Sequence, residues 1–314
     1  MSNPETSRGG HLTVVVAALT YRRPGDLSEL LPDLVAQRSA SQDDVRILIV
    51  DNDPAAGARE QIASFGEGVE YVHAAEPGIA AARNVALDAA GDADLLVFID
   101  DDERPVSRWL ARLVATWREH GSTAVVGPVI SSFEVEPGDW IRAGGFFTRR
   151  RLPTGSPVTI AATNNLLLDM QEIRRMGLRF DVRFGLTGGS DTLFSRELIA
   201  QGGTMIWCDE AIVTDVVPAS RATRDWVVRR AFRSGNSWMR TSLAVQPTAV
   251  GRLTTRLSLA ARGLGRVVAG GGLVVIGAAT RRIGWHAKGM KAVARGAGLL
   301  AGAFGSVYAE YKRA

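Results

Sequence analysis

The sequence predicts an α/β protein: a mostly parallel, nucleotide-binding sheet flanked by helices, followed by a C-terminal extension of basic amphipathic helices. Three observations predict it. Short apolar runs alternate with helix-length segments in a β-α-β-α pattern, which is how a parallel sheet with crossover helices is written in sequence. Each of those runs stops at a cluster of polar residues. The charge is also segregated: from Trp226 onward Glu310 is the only acidic residue among many arginines, which leaves the preceding residues net acidic.

Residues 12–19 are apolar and mostly β-branched and give way to Thr20-Tyr21-Arg22-Arg23-Pro24-Gly25, a buried strand and its loop. A helix over 27–37 leads to a second strand at 45–50, stopped by Asp51-Asn52-Asp53-Pro54, and then to a helix at 59–65. A short strand at 69–73, an alanine-rich helix at 78–90 and a strand at 94–99 follow, the last ending in Asp100-Asp101-Asp102. Beyond it the pattern predicts a helix at 109–119, a strand at 124–130 and a glycine- and arginine-rich loop at 133–157. Strands at 160–168 and 205–207 are expected, with a glycine-rich loop at 185–191 opening into a helix at 192–201. In an open parallel sheet ligands bind beyond the carboxyl ends of the strands, so the polar tips are expected to converge on one site.

Composition narrows the classes. A chain of 314 residues, 46% of them apolar, supports one large domain plus an appendage rather than a disordered chain. The single cysteine, Cys208, excludes an internal disulfide framework and a cysteine-based zinc site, and fits a reducing compartment. Residues 1–11 lack the apolar core of a secretory signal; they are expected to be a flexible N-terminus ahead of a chain that stays in the cytoplasm. His11, His73, His120 and His286 show no metal-ligand spacing. No Walker A, Gly-x-Gly-x-x-Gly or Gly-x-Ser-x-Gly motif is present, which argues against P-loop, dinucleotide and hydrolase chemistry.

Three consecutive carboxylates at a partly desolvated strand end repel one another unless something neutralises them. A Mg2+ or Mn2+ ion does so with one or two carboxylates, completing its shell with water and substrate phosphate oxygens. The other reading is a solvated loop that caps the next helix. Asp191, after Gly188-Gly189-Ser190, is either a helix N-cap or the carboxylate that takes a proton from an acceptor hydroxyl. Arg83 lies early in the helix after Glu76-Pro77-Gly78, where an anion is favoured, and is otherwise a surface arginine. Asn164 and Asn165, adjacent amides in an apolar strand, serve either a substrate or the neighbouring backbone.

In this order, the motifs resemble the family 2 glycosyltransferases of the GT-A fold over residues 12–240. Thr20-Tyr21-Arg22-Arg23-Pro24 is similar to the family's first-strand loop, Asp51 to its base-contacting aspartate, Gly78 to Asn84 to its Gly-x-x-x-Ala-Arg-Asn segment, and the acidic triplet to its D-x-D motif. The resemblance implies a nucleotide-sugar donor, a UDP-sugar, held by Thr20, Tyr21, Arg22, Asp51, Gly78, Arg83, Asp100 and Asp101, with Arg230 and Arg233 either helping at its diphosphate or facing the membrane. It further implies Asp102 and Asp215 as ligands of Mn2+ or Mg2+, and Asn164, Asn165 and Gly189 on the acceptor. Asp191 matches the family's base in an inverting single displacement, although Ser190 stands where relatives usually carry a second acidic residue.

Within the family the resemblance is to exopolysaccharide enzymes of the succinoglycan glucosyltransferase type, through Val217-Pro218, Arg221 and the stretch Arg229-Arg230-Ala231-Phe232-Arg233-Ser234-Gly235. That implies transfer of glucose from UDP-glucose to a lipid-diphosphate-linked oligosaccharide at the cytoplasmic face of a bacterial inner membrane. The apolar stretches 267–279 and 296–307 are shorter than the roughly twenty residues that span a bilayer. Interleaved with basic residues, 241–314 are expected to form helices lying on an anionic membrane surface. The alternatives are helices packed on the domain or a homo-oligomer interface; the region is too apolar for nucleic acid. Two other readings remain: a metal-dependent nucleotidyltransferase, and a non-catalytic membrane-associated scaffold of the same fold.

Overall fold

The computed structural model describes residues 10–66 and 68–308, so nearly all of the expected flexible N-terminus lies outside the described residues. The chain forms two compact units. The first takes in the described residues up to Ile130 together with Arg149–Val182 and Phe194–Asp215; the second comprises Ser131–Thr148, Arg183–Leu193 and the residues from Val216 onward.

The first unit is built on β1 (Thr13–Thr20), β2 (Asp44–Asp51), β3 (Val69–His73) and β4 (Leu95–Asp100), all parallel. Three helices connect them: α1 (Pro24–Ser39), α2 (Arg59–Ala63) and α3 (Ile79–Ala89). Pro24 suits the first turn of α1, where its missing N–H removes nothing from the helix. The valines, isoleucines and leucines of β1, β2 and β4 are buried on both faces, as a covered parallel sheet requires. After β5 (Glu103–Pro105) and α4 (Trp109–His120) the chain adds β6 (Ala124–Val126), β8 (Pro157–Val158), β9 (Asn165–Asp169) and β10 (Met205–Trp207). The resulting sheet runs β3-β2-β1-β4-β9-β6-β10-β8, with β9 antiparallel between β4 and β6. One core, around Leu30, Trp109 and Leu113, fills one side of the sheet; the other, around Ala82, Phe98 and Phe180, fills the opposite side.

Several elements differ from the sequence expectation. The strand expected at 124–130 is two, β6 and β7 (Val129–Phe133), broken at Gly127-Pro128. A side chain at Gly127 would run into the Ala211 carbonyl and the Asn165 amide. The expected loop at 133–157 contains α5 (Asp139–Gly144). The strand expected from residue 160 begins only at Asn165 and is followed by α6 (Met170–Met176), which Asp169 caps by accepting from the Glu172 N–H at 3.1 Å. Helix α7 (Ser190–Ala200) starts before the expected 192, which puts Asp191 in its first turn. Strand β11 (Val213–Val217) pairs antiparallel with β5 and sets Asp215 opposite Glu103.

The second unit is dominated by α8 (Arg224–Ala244), α9 (Ala249–Ala279) and α10 (Ile283–Ala303). The expected boundary near residue 240 thus falls inside α8. Helix α10 packs on both of its neighbours through glycines. Gly263, Gly270 and Gly277 of α9 face Gly296, Gly289 and His286 of α10, and Gly298 and Gly302 of α10 face Phe232, Asn236 and Met239 of α8. The apolar stretch read as 267–279 is the last part of the 31-residue α9, which by length and composition passes for a membrane-crossing helix. The apolar run is bounded by Arg266 and by Arg281-Arg282, but a charged residue does not end a helix, and α9 continues back to Ala249.

Candidate active site

The strand tips of the first unit are in register. Thr20 lies beside Asp51, Leu19 beside Asp100, and Asp51 beside His73, so the polar ends of β1, β2 and β4 open at one edge of the sheet. The triplet at the end of β4 is held from β1 and its loop. Thr20 Oγ1 donates to Asp101 at 2.9 Å, and Arg23 Nη1 donates to Asp101 at 2.8 Å and to Asp102 at 2.9 Å. Burial pushes the Asp100 carboxyl up to about 7, with the Asp102 and Asp101 charges adding to it and Arg83 and Arg23 pulling it back. Burial likewise pushes Asp101 up to about 6 against the charge of Arg23. Glu103, next along the chain and 1% exposed, is driven well above the usual carboxylate range by burial and then by Asp100. It accepts from the Asp100 N–H at 3.2 Å and from Asn164 Nδ2 at 2.7 Å. Four carboxyl groups thus meet with three guanidinium groups, Arg23, Arg83 and Arg149, close enough to act on them, a site short of positive charge.

The loop after β2 is tied down from within. Asp51, fully buried, accepts from the Asp53 N–H, the Ala58 N–H and the Tyr71 hydroxyl at 2.9–3.1 Å. Asn52 donates to the Ala74 and Glu76 carbonyls, both at 2.7 Å, and accepts from the Gly78 N–H at 3.1 Å. It thereby fixes the turn into α3, where Gly78 has φ 116, a value that favours glycine. From α3, Arg83 stacks on Phe180 at 5.4 Å, and Asn84 exchanges two 2.8 Å hydrogen bonds with the Phe180 backbone. Arg22, in a left-handed conformation (φ 55), stacks on Tyr21 and pairs with Asp53 rather than with the triplet. Sequence reasoning passed over Arg23, Asn52 and Glu103. The one available signal was Glu103 directly following three acids in a segment expected to be partly buried.

Asn165 corrects an expectation. It is 1% exposed; its Oδ1 accepts from Trp109 Nε1 at 2.9 Å, and its Nδ2 donates to the Pro128 and Ala211 carbonyls at 3.0 and 2.7 Å. Both amide hydrogens are committed to protein, so it braces strands and is not an acceptor contact. Asp215, expected at a metal, pairs with Arg149 at 2.5 Å. Among the described residues no group of three or more His, Cys, Asp or Glu side chains is arranged to hold an ion. The donor set therefore fits only a cation held by one or two carboxylates and completed by ligand oxygens, the arrangement Mg2+ and Mn2+ adopt on phosphates. Asp102, expected with Asp215 at the metal, pairs with Arg23 at 2.9 Å.

The remaining candidates belong to the second unit and are described there. Asp191, in the first turn of α7, accepts from the Thr192 N–H at 2.7 Å. Gly189, at φ 101, lies so close to Ser237 and Thr241 of α8 that a Cβ would crowd them. Arg230 lies over the rings of Trp226 and Phe147 at 5.1 and 5.8 Å, and Arg233 is on the same helix.

The family model for Glycosyl transferase family 2 matches residues 14–174, more than half of the chain and the stretch that carries the strand tips. The chain belongs to glycosyltransferase family 2. It is 34% identical over 230 residues to the Succinoglycan biosynthesis protein ExoM of Rhizobium meliloti (strain 1021), covering 72% of this chain and 74% of that one. Among solved structures it is similar to S. aureus TarS, with a TM-score of 0.52 and 14% identity over 78% of this chain, spanning 42% of the TarS chain. TarS 1-349 in complex with UDP-GlcNAc gives a TM-score of 0.50 and 14% identity over 89% of this chain and 91% of that one. GalNAc-T7 with UDP, GalNAc and Mn2+ gives 0.51 and 14% identity over 79% of this chain and 54% of that one. These likenesses show the GT-A fold that the order of motifs implied.

Proposed function

We propose that this glycosyltransferase moves a sugar, glucose from UDP-glucose being the expected donor, to a hydroxyl of a lipid-diphosphate-linked oligosaccharide in bacterial exopolysaccharide or surface polysaccharide synthesis. The observation that carries the donor reading is the charge-deficient cluster at the tip of β4, in which Asp101 is buried and Asp100 and Asp102 are half-buried. The similarity to ExoM supports the polysaccharide context, and the UDP-GlcNAc bound to TarS 1-349 and the UDP and Mn2+ with GalNAc-T7 support the donor class and the ion.

In this reading Thr20, Arg23 and Arg83 fix the acidic tip, Asp100 and Asp101 receive the ribose, and Asp102 with Asp215 would hold Mn2+ or Mg2+. The ion supplies neutralisation of charge on the leaving diphosphate. Asp191 takes the proton from the acceptor hydroxyl; its oxygen attacks the anomeric carbon, the bond to the diphosphate oxygen breaks with its electron pair, and the configuration inverts. The Asp191 assignment rests on the order of the family's motifs and on its place in the first turn of α7. The protein acts at the cytoplasmic face of the inner membrane as a peripheral enzyme.

The test uses detergent-solubilised protein, Mn2+ and a panel of UDP-sugars. Asp102→Ala is expected to weaken Mn2+-dependent donor binding at least about tenfold. Asp191→Asn is expected to bind donor normally and to lose about 10²–10⁴ in transfer rate, the usual range for a general base. Normal transfer by Asp191→Asn removes the base assignment, and failure of every UDP-sugar to bind removes the donor reading.

A further inference from the structure

Helix α9 carries an apolar stripe that nothing in its own unit covers. Val250, Leu253, Leu257, Leu264, Val268 and Val275 recur at steps of three, four and seven residues, which places them on one helical face. All six are exposed, Val250 at 72%, Val268 at 68% and Val275 at 68%. The opposite face is fixed by the close glycine contacts of Gly263, Gly270 and Gly277 with α10, so the stripe points away from the hairpin partner. Arg252, Arg256, Arg262 and Arg266 lie off the stripe, and no acidic residue occurs anywhere in 249–308. The hairpin turn adds Arg281 and Arg282, with Arg282 over the ring of Trp285 at 4.7 Å.

An apolar stripe flanked by Arg256, with Arg281, Arg282 and the exposed Trp285 at the turn, makes a surface complementary to anionic lipid headgroups over acyl chain, while Arg266 stands on the α10 side of the helix. Length decides the orientation. The charge-free stretch 267–280 is about 21 Å long at 1.5 Å per residue, against roughly 30 Å of hydrocarbon. Spanning would therefore draw Arg266 or the Arg281–Arg282 pair into the bilayer core.

We propose that α9 lies along the membrane interface of an anionic bilayer, stripe inward, and does not cross it. The inference deepens the peripheral-membrane reading above and rests on it. Because the stripe is the outer face of a helix whose other face is closed against α10, the bilayer takes up α9 without unpacking the hairpin.

The test is flotation of the full chain, purified in detergent and then depleted of it, with vesicles of phosphatidylcholine alone or mixed with phosphatidylglycerol. UDP-sugar binding is measured on the same samples. The expected result is binding to the mixed vesicles at least about tenfold tighter than to the neutral ones, weakened about tenfold by Val268→Asp and by Arg281→Gln with Arg282→Gln, with donor binding unchanged in all of them. Trp285 fluorescence should shift to the blue and be quenched by shallow but not deep brominated lipid. Three outcomes overturn the proposal: equal binding to both vesicles, deep quenching with a cysteine label at position 280 shielded across the bilayer, or a dimer in detergent that Val268→Asp dissociates. Loss of donor binding in the wild type counts against the enzyme reading and leaves the flotation result to be judged by itself.

Discussion

Two neighbouring arginines of one loop do different work. Arg22 makes an ion pair with Asp53 from a largely exposed position, where solvent screens the attraction, whereas Arg23 bridges Asp101 and Asp102 at the strand tip. Replacing Arg23 by Gln is expected to weaken donor binding at least about tenfold, because it removes one of three positive charges from a cluster that already resists ionisation. Arg22→Gln is expected to change it by no more than a few-fold. Isothermal titration of both variants with the same UDP-sugar checks the difference, and equal losses would count against the distinction. The triplet itself was legible in the sequence, since three acids at the end of an apolar strand demand a partner. Arg23, Asn52 and Glu103 were not: the contacts that give them meaning lie as many as 79 residues away, and nothing local marks which arginine of a pair turns inward. Asn165 misled for the same reason, as its three partners come from three other segments of chain.

Among the elements, legibility followed periodicity. The strands at Val69–His73 and Met205–Trp207 have the bounds the apolar runs suggested, and the buried strands β1, β2 and β4 differ by a residue or so at their ends. Glycine was the main source of error. Gly127 breaks a strand because its neighbours leave no room for a side chain, while Gly270, Gly271 and Gly272 sit within a continuous helix, Gly270 against the Gly289 carbonyl of α10 and the other two in open space. The glycines of the helical hairpin divide accordingly. A Cβ at Gly298 would collide with the Phe232 carbonyl of α8, so Gly298→Ala is expected to destabilise by about 1–3 kcal/mol through overpacking. At Gly272 the space is open, and alanine there is expected to be neutral or to stabilise by up to about 1 kcal/mol through helix propensity. Urea unfolding followed by far-UV circular dichroism separates the two; a stabilising Gly298→Ala would contradict the contact assigned to it.

Across the whole molecule the acidic chemistry is gathered on one unit and the excess of cationic residues on the other, which the sequence announced through the near-absence of acids after Trp226. The division into units built from alternating stretches of chain was not readable, because it depends on which distant segments pack. Ligand linkage offers a measurement on the entire chain. A UDP-sugar with Mn2+ at a hundred times its Kd should stabilise the fold by about 2.7 kcal/mol. EDTA should remove most of that gain, and a midpoint that ignores EDTA would separate donor binding from the ion. The glycine contacts between α9 and α10 bear on how such a chain assembles. Glycine weakens an isolated helix, so α9 has little reason to persist alone across residues 270–272. Yet a seam at which glycines bring the two backbones together, with side chains such as Val267, Val274 and Leu300 beside them, freezes few side-chain rotamers when it closes, and the two helices are joined by a turn of only a few residues. Each helix is therefore the condition for the other, and the hairpin is expected to form as one local, early event rather than as two helices that later meet.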